Sequence, residues 1–216
     1  MLRIARREPS AILLAVQLMA VLVYPFLDQG AVGRALFSVF GIAILGLVVL
    51  AVRKTPALTW VALLLGVPAT VLLLIQAATD SSELQPYSSA LEAVLYFYAA
   101  GALIAYMLED HEISRDELYA VGATFTLVAW AFAYTYTVVQ AIYPHSFTAA
   151  VDPQDARTWM ELLFLSFTTL TSTGLSDVVP IRPLARAVCM IEQLGGLAYV
   201  AVLVSRLVGL TVRRAA

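Results

Sequence analysis

The sequence predicts an all-α membrane protein of six transmembrane helices, with a short re-entrant helix and loop between helices five and six. Three observations carry that prediction. Hydrophobic residues fill 61% of the 216 positions and charged residues only 13%, a balance that no water-soluble core could hide. Apolar runs of about 20 residues, the length that crosses about 30 Å of hydrocarbon, recur along the whole chain. One further apolar run, 158–170, is too short to cross and leads into a hydroxyl-rich turn.

The spans fall at 10–26, 34–52, 57–78, 89–108, 118–143 and 183–210. Arg3, Arg6 and Arg7 precede the first, Arg53 and Lys54 follow the second, and Arg206, Arg213 and Arg214 end the sixth, which places those ends and both termini in the cytoplasm. The opposite loops agree, because Asp28 and the run Asp80-Ser81-Ser82-Glu83 carry no Lys or Arg. Glu109-Asp110-His111-Glu112, between spans four and five, is acidic although this scheme puts it inside; carboxylates weigh little in the orientation rule, and Arg115 is near. Tyr24-Pro25-Phe26-Leu27-Asp28 offers no small-x-small cleavage site, so the first span is expected to be retained and not removed as a signal peptide. The fourth span holds no Lys or Arg, which argues against a voltage sensor. The chain therefore divides into a four-helix transmembrane domain, 1–112, and a two-helix domain, 113–216.

Lys plus Arg (13) nearly cancels Asp plus Glu (15), so no nucleic-acid partner is indicated. The lone Cys189 sits in an apolar run, which excludes an intrachain disulfide and leaves a cysteine metal site implausible. No cofactor is expected, nor a cytoplasmic ligand-binding domain, since few residues follow the sixth span.

The chemistry lies in 159–180. A short helix runs into Thr171-Ser172-Thr173-Gly174-Leu175-Ser176-Asp177, then Pro180 and the last span. Non-helical backbone survives at membrane depth only where protein surrounds it or water and ions satisfy its carbonyls. That is the requirement of a selectivity filter, whose carbonyl and hydroxyl oxygens replace the water shell of an alkali cation.

At these residues the chain resembles the two-helix pore of the potassium-channel family, whose filter usually reads T-V-G-Y-G-D. The resemblance spans about 118–210 and makes 159–170 a pore helix and 171–177 a filter loop. It implies K+ sites at Ser172, Thr173, Gly174 and Leu175, with Thr171 and Ser176 completing the filter and Asp177 at the outer mouth. Permeant K+ is the expected ion, and Na+ the competitor. Two positions depart from the pattern. Leu175 lacks the bracing hydroxyl of the usual Tyr, and the matching cuff positions Phe164 and Leu165 are apolar, so packing would have to hold the filter. Ser176 replaces the second Gly, where an L-residue in left-handed backbone costs on the order of 1 kcal/mol or more. A single-Gly filter is also similar to that of the Trk-type potassium transporters, which carry four pore loops in one chain. One loop per chain here implies a homotetramer, with three identical subunits as partners beside membrane lipid.

In the last span Gly195-Gly196 stands where such channels carry a gating hinge; tight packing through Gly195, Gly196 and Ala198 explains the pair as well. Val200 and Val204 then face the cavity. Glu192, ionisable within an apolar span beside Gln193, is expected to contact the pore helix, to line the cavity or to be a hydrogen-bonded structural group. Asp152 and Asp155 either draw cations or sit in an ordinary solvated loop. His111 among carboxylates could sense pH, although Ser114-Arg115-Asp116-Glu117 reads as a capping box that explains much of that polarity. His145 is a loop or interfacial residue. The rival functions are a weakly selective monovalent cation channel, a secondary transporter, which would show inverted repeats, and an enzyme using Glu109, His111 and Glu112, which lacks a second set of ligands.

Overall fold

A computed structural model of the chain describes residues 9–27, 31–53, 55, 57–79, 83–109 and 115–215, with residues 27, 31–40 and 207–215 described by their backbone alone. The fold is mostly helical: α1 (Pro9–Leu27), α2 (Ala31–Val52), α3 (Thr59–Thr79), α4 (Gln85–Glu109), α5 (Arg115–Ile142), β1 (Phe147–Ala149), α6 (Trp159–Leu170), β2 (Val178–Pro180) and α7 (Pro183–Ala215). Helices thus cover all six apolar stretches. Among the described residues five of them, α1, α3, α4, α5 and α7, are long and apolar enough to cross a membrane. Proline opens α1 and α7, where its missing N–H would have had no helical partner. Pro68 lies inside α3 without ending it, a tolerance common in membrane helices.

The chain forms two compact units, residues 1–128 and 129–216, with the division inside α5. The sequence-based division at 112/113 instead follows the loop between spans. In the first unit α2 packs on α1, α3 and α4, and α3 packs on α4. Ile44, Leu45, Val48, Leu95, Tyr96 and Leu103 are buried there. The Ser10 N–H and hydroxyl each donate to the Asp116 carboxylate at 3.0 Å, so the first turn of α5 caps the N-terminus of α1. Two turns of helix further along, Gly122 lets α5 approach α1 closely, since a Cβ there would lie 2.9 Å from Leu14 Cδ2.

In the second unit α6 packs on α7, and β1 pairs antiparallel with β2 in the register Phe147 with Pro180, Thr148 with Val179 and Ala149 with Val178. Aromatic rings fill the space beside α6. Trp159 meets Trp130 edge-on at 5.2 Å and Tyr134 at 5.5 Å, while Tyr136 meets Phe147 at 5.2 Å. Of the residues named from sequence, Arg3, Arg6, Arg7, Asp28, Lys54, Asp80, Ser81, Ser82, Asp110, His111, Glu112 and Ser114 lie outside the described residues.

Candidate functional site

The twelve residues of α6 rise about 18 Å at 1.5 Å each, well short of the roughly 30 Å of a hydrocarbon core. Their start is strongly fixed. Thr158 is the N-cap: its hydroxyl accepts from the Glu161 N–H at 3.3 Å, and the Glu161 carboxylate accepts from the Thr158 N–H at 2.6 Å, a complete capping box. Just before it, Arg157 is only 6 % exposed. Its guanidinium bonds Glu161 at 3.1 Å and the carbonyls of Val151, Asp152 and Asp155. Its backbone N–H donates to Gln140 Oε1 at 2.7 Å, and its carbonyl accepts from Gln140 Nε2 at 2.9 Å. A planar five-donor group suits this fork of acceptors, and the loop before α6 is wrapped around it.

The end of α6 is equally defined. Ser172 N–H donates to Thr169 O and Thr173 N–H to Thr168 O, both at 3.0 Å, which is the bond pair of a Schellman motif. The motif needs a left-handed residue just beyond the cap, and Ser172 supplies it at φ +57°. Gly174 N–H also donates to Thr168 O, at 3.2 Å, and Gly174 is left-handed at φ +66°. The hydroxyls of Thr171 and Thr173 lie 3.0 Å apart and turn back onto the helix end, donating to Phe167 O at 2.7 Å and Thr168 O at 3.3 Å respectively. Ser176 is not left-handed; its hydroxyl accepts from the Val178 N–H at 3.0 Å. The backbone strain expected at Ser176 therefore falls at Ser172, because the helix-ending motif sets the position of the first left-handed residue.

Residues 171–175 are exposed in the single chain, Leu175 by 77 %, and 171–177 form no helix or strand. Among the described residues no hydrogen bond is accepted by any main-chain carbonyl of 171–176. Asp177, also exposed, leads directly into β2. The outer end of the segment is pinned by the β1–β2 pairing and by Ile181 N–H donating to Ser146 O at 2.9 Å, while Arg186 Nε donates to Pro180 O at 3.1 Å. A loose segment is thus held at both ends by built structure.

Helix α7 meets α6 through one face carrying Ala185, Cys189, Glu192 and Gly196, all buried. The Glu192 carboxylate, with no exposure at all, is bonded to the Tyr136 hydroxyl of α5 and the Ser166 hydroxyl of α6. Ser166 also bonds Ala129 O of α5 at 2.8 Å. One carboxyl group therefore joins three helices, a contact with α6 and a hydrogen-bonded structural role at once. One turn on, a Cβ on Gly196 would lie 2.0 Å from Leu170 O, whereas one on Gly195 would meet nothing within 4 Å. Gly196 is a packing position, and Gly195, like Gln193, is exposed. Val200 and Val204 are 49 % and 52 % exposed in the single chain.

The structure thus brings Thr171, Ser172, Thr173 and Gly174 together at the end of α6, and sets Glu192 and Gly196 behind that helix. Asp152 and Asp155 serve the loop through their carbonyls on Arg157, with their side chains exposed. His145 stands in a turn at φ +58°. Sequence reasoning missed Arg157, Gln140, Tyr136, Ser166 and the two-stranded sheet. The Thr158…Glu161 spacing was a readable signal for the first, since an Arg preceding a capping box has a carboxylate four residues on. Among the described residues no group of three or more His, Cys, Asp or Glu could hold a metal ion.

The family profile described as Ion channel matches residues 93–213, which include α5, the whole of α6, the 171–177 segment and nearly all of α7. No curated protein and no solved structure matches the chain.

Proposed function

The chain belongs to the ion channel family, a family of channels and not of enzymes, and from that premise we propose that it is one subunit of a homotetrameric cation channel passing K+ down its gradient. The observation that carries this reading is the run of carbonyls at 171–176 with no hydrogen-bond donor among the described residues, standing at the end of a helix too short to cross and flanked by two helices long enough to do so. Unpaired carbonyls at membrane depth are costly unless something satisfies them, and a dehydrated cation is the ligand that six such oxygens suit. The positive φ at Ser172 and Gly174, separated by an ordinary residue, supports the same reading, because alternating handedness turns successive peptide groups to a common side.

On this proposal Ser172, Thr173, Gly174 and Leu175 supply the oxygen rings that hold K+, Thr171 and Ser176 bound them, and Asp177 raises cation concentration at the outer mouth. The exposure of Leu175 supports assembly, since its packing partners then come from neighbouring copies. Four copies follow from one loop per chain. Residues 113–216 form the pore domain and 1–112 a transmembrane scaffold around it. The protein is multi-pass; placing it in the cell membrane with both termini in the cytoplasm rests on Arg53 just past α2 and Arg206 at the end of the apolar part of α7.

The test is flux from liposomes loaded with K+ or Na+, alongside Gly174→Ala. K+ flux well above Na+ flux, reduced in the variant, is expected. Equal fluxes would remove K+ selectivity and leave a weakly selective cation channel, a second reading favoured by Ser176, which does not continue the left-handed alternation. No flux of either ion from folded protein would refute the channel.

A further inference from the structure

A cavity of about 830 Å³ opens between α2 and α3, in the part of the chain that precedes the family match. Its volume lies within the roughly 300–1,000 Å³ of small-molecule sites, and its walls are aliphatic, among them Leu45, Val49, Leu63 and Val67. Gly46 widens it, since a Cβ there would meet nothing within 4 Å. The polarity is uneven. Arg53, just past the end of α2, and Thr59, at the start of α3, line one end of the cavity, and the third polar lining residue, Thr70, donates its hydroxyl to Gly66 O at 2.8 Å. Among the described residues Arg53 forms no ion pair.

A long aliphatic channel with one cation at its end has the charge and polarity pattern of a lipid with an anionic head. We propose that this groove is a binding site for an anionic phospholipid, with an acyl chain along Leu45, Gly46, Val49, Leu63 and Val67 and the phosphate against Arg53. The chemistry fits the position. Basic pockets between transmembrane helices on the cytoplasmic side bind anionic headgroups, and the orientation proposed above sets Arg53 on that side. A free anion has no use for the aliphatic wall, and an uncharged lipid has none for the guanidinium.

Native mass spectrometry of the delipidated protein, titrated with phosphatidylglycerol or phosphatidylcholine, tests the site without reference to flux, so its outcome is independent of whether the protein conducts. The intact chain is expected to prefer phosphatidylglycerol about fivefold, the effect of one basic residue at an anionic surface. Arg53→Gln, at an exposed position, should bind both lipids equally. Gly46→Leu, which fills open space and leaves the helix contact intact, should lose both. Equal binding of the two lipids by the unaltered protein, a preference that persists in Arg53→Gln, or undiminished binding by Gly46→Leu would each overturn the proposal.

Discussion

Replacing Gly196 by Ala puts a methyl group where the structure has a backbone carbonyl. The new Cβ would start 2.0 Å from Leu170 O, and ordinary contact begins at 3.4 Å, so α6 and α7 must separate by about 1.4 Å. Nothing flexible is available to absorb this, because the opposing atom is main chain in the last turn of α6. Overpacking a filled interior costs about 1–3 kcal/mol, and alanine's advantage over glycine within a helix returns roughly 0.5–1 kcal/mol. The larger effect is positional. Thr168 O, two residues before Leu170, anchors the N–H groups of both Thr173 and Gly174, so displacing the helix end carries the 171–177 segment with it. Gly195→Ala is the internal control, with nothing within 4 Å of its Cβ and the same gain in helix propensity. The expected result is that Gly196→Ala lowers the thermal stability of the reconstituted protein and cuts K+ flux by an order of magnitude or more, while Gly195→Ala leaves both near the original values. Unchanged stability and flux in Gly196→Ala, or a larger loss in Gly195→Ala, would refute the packing argument and restore a hinge at the first glycine.

Glu192→Ala leaves the buried Tyr136 hydroxyl without its acceptor, whereas the Ser166 hydroxyl still has Ala129 O, at about 1–3 kcal/mol for the group left unsatisfied; thermal unfolding in detergent should show a destabilisation of that size, and Glu192→Gln, which keeps an acceptor in place, a smaller one. Ser172→Gly removes the strain of an L-residue at φ +57° and should stabilise the fold by up to about 1 kcal/mol, whereas Ser172→Val should destabilise it, both read from the same melting curves. Arg157→Lys cannot reproduce a guanidinium that bonds three carbonyls and Glu161; faster proteolysis within 146–158 than in the unaltered protein is the measurable outcome.

Most of the fold was legible because the bilayer leaves few choices. A run of about 20 apolar residues has to be helical once backbone polar groups have no water to bond, and 159–170 was set apart by length alone. The identity of Glu192 as a bonded group was foreseeable from its cost in an apolar span, but its partners were not: Tyr136 and Ser166 lie 56 and 26 residues away, and no local pattern joins them. The same holds for β1 and β2, three residues each and paired across about thirty residues of chain. At 171–177 the composition disclosed an uncoiled segment, whereas the place of the left-handed residues was set by which residue ends α6. Family patterning pointed to Ser176; the hydrogen bonds of the helix end select Ser172.

The carboxyl group shared by three helices also restricts how the last helix can move. Rolling or tilting the first half of α7 would tear Glu192 from Tyr136 and Ser166 and drive Gly196 into the carbonyl of Leu170. The first part of α7, from residue 183 to 196, therefore travels with α6 as one block. Any swing of the rest of α7 must bend beyond residue 196, so that on the proposed function movement of the far end of this helix is mechanically separable from the 171–177 segment.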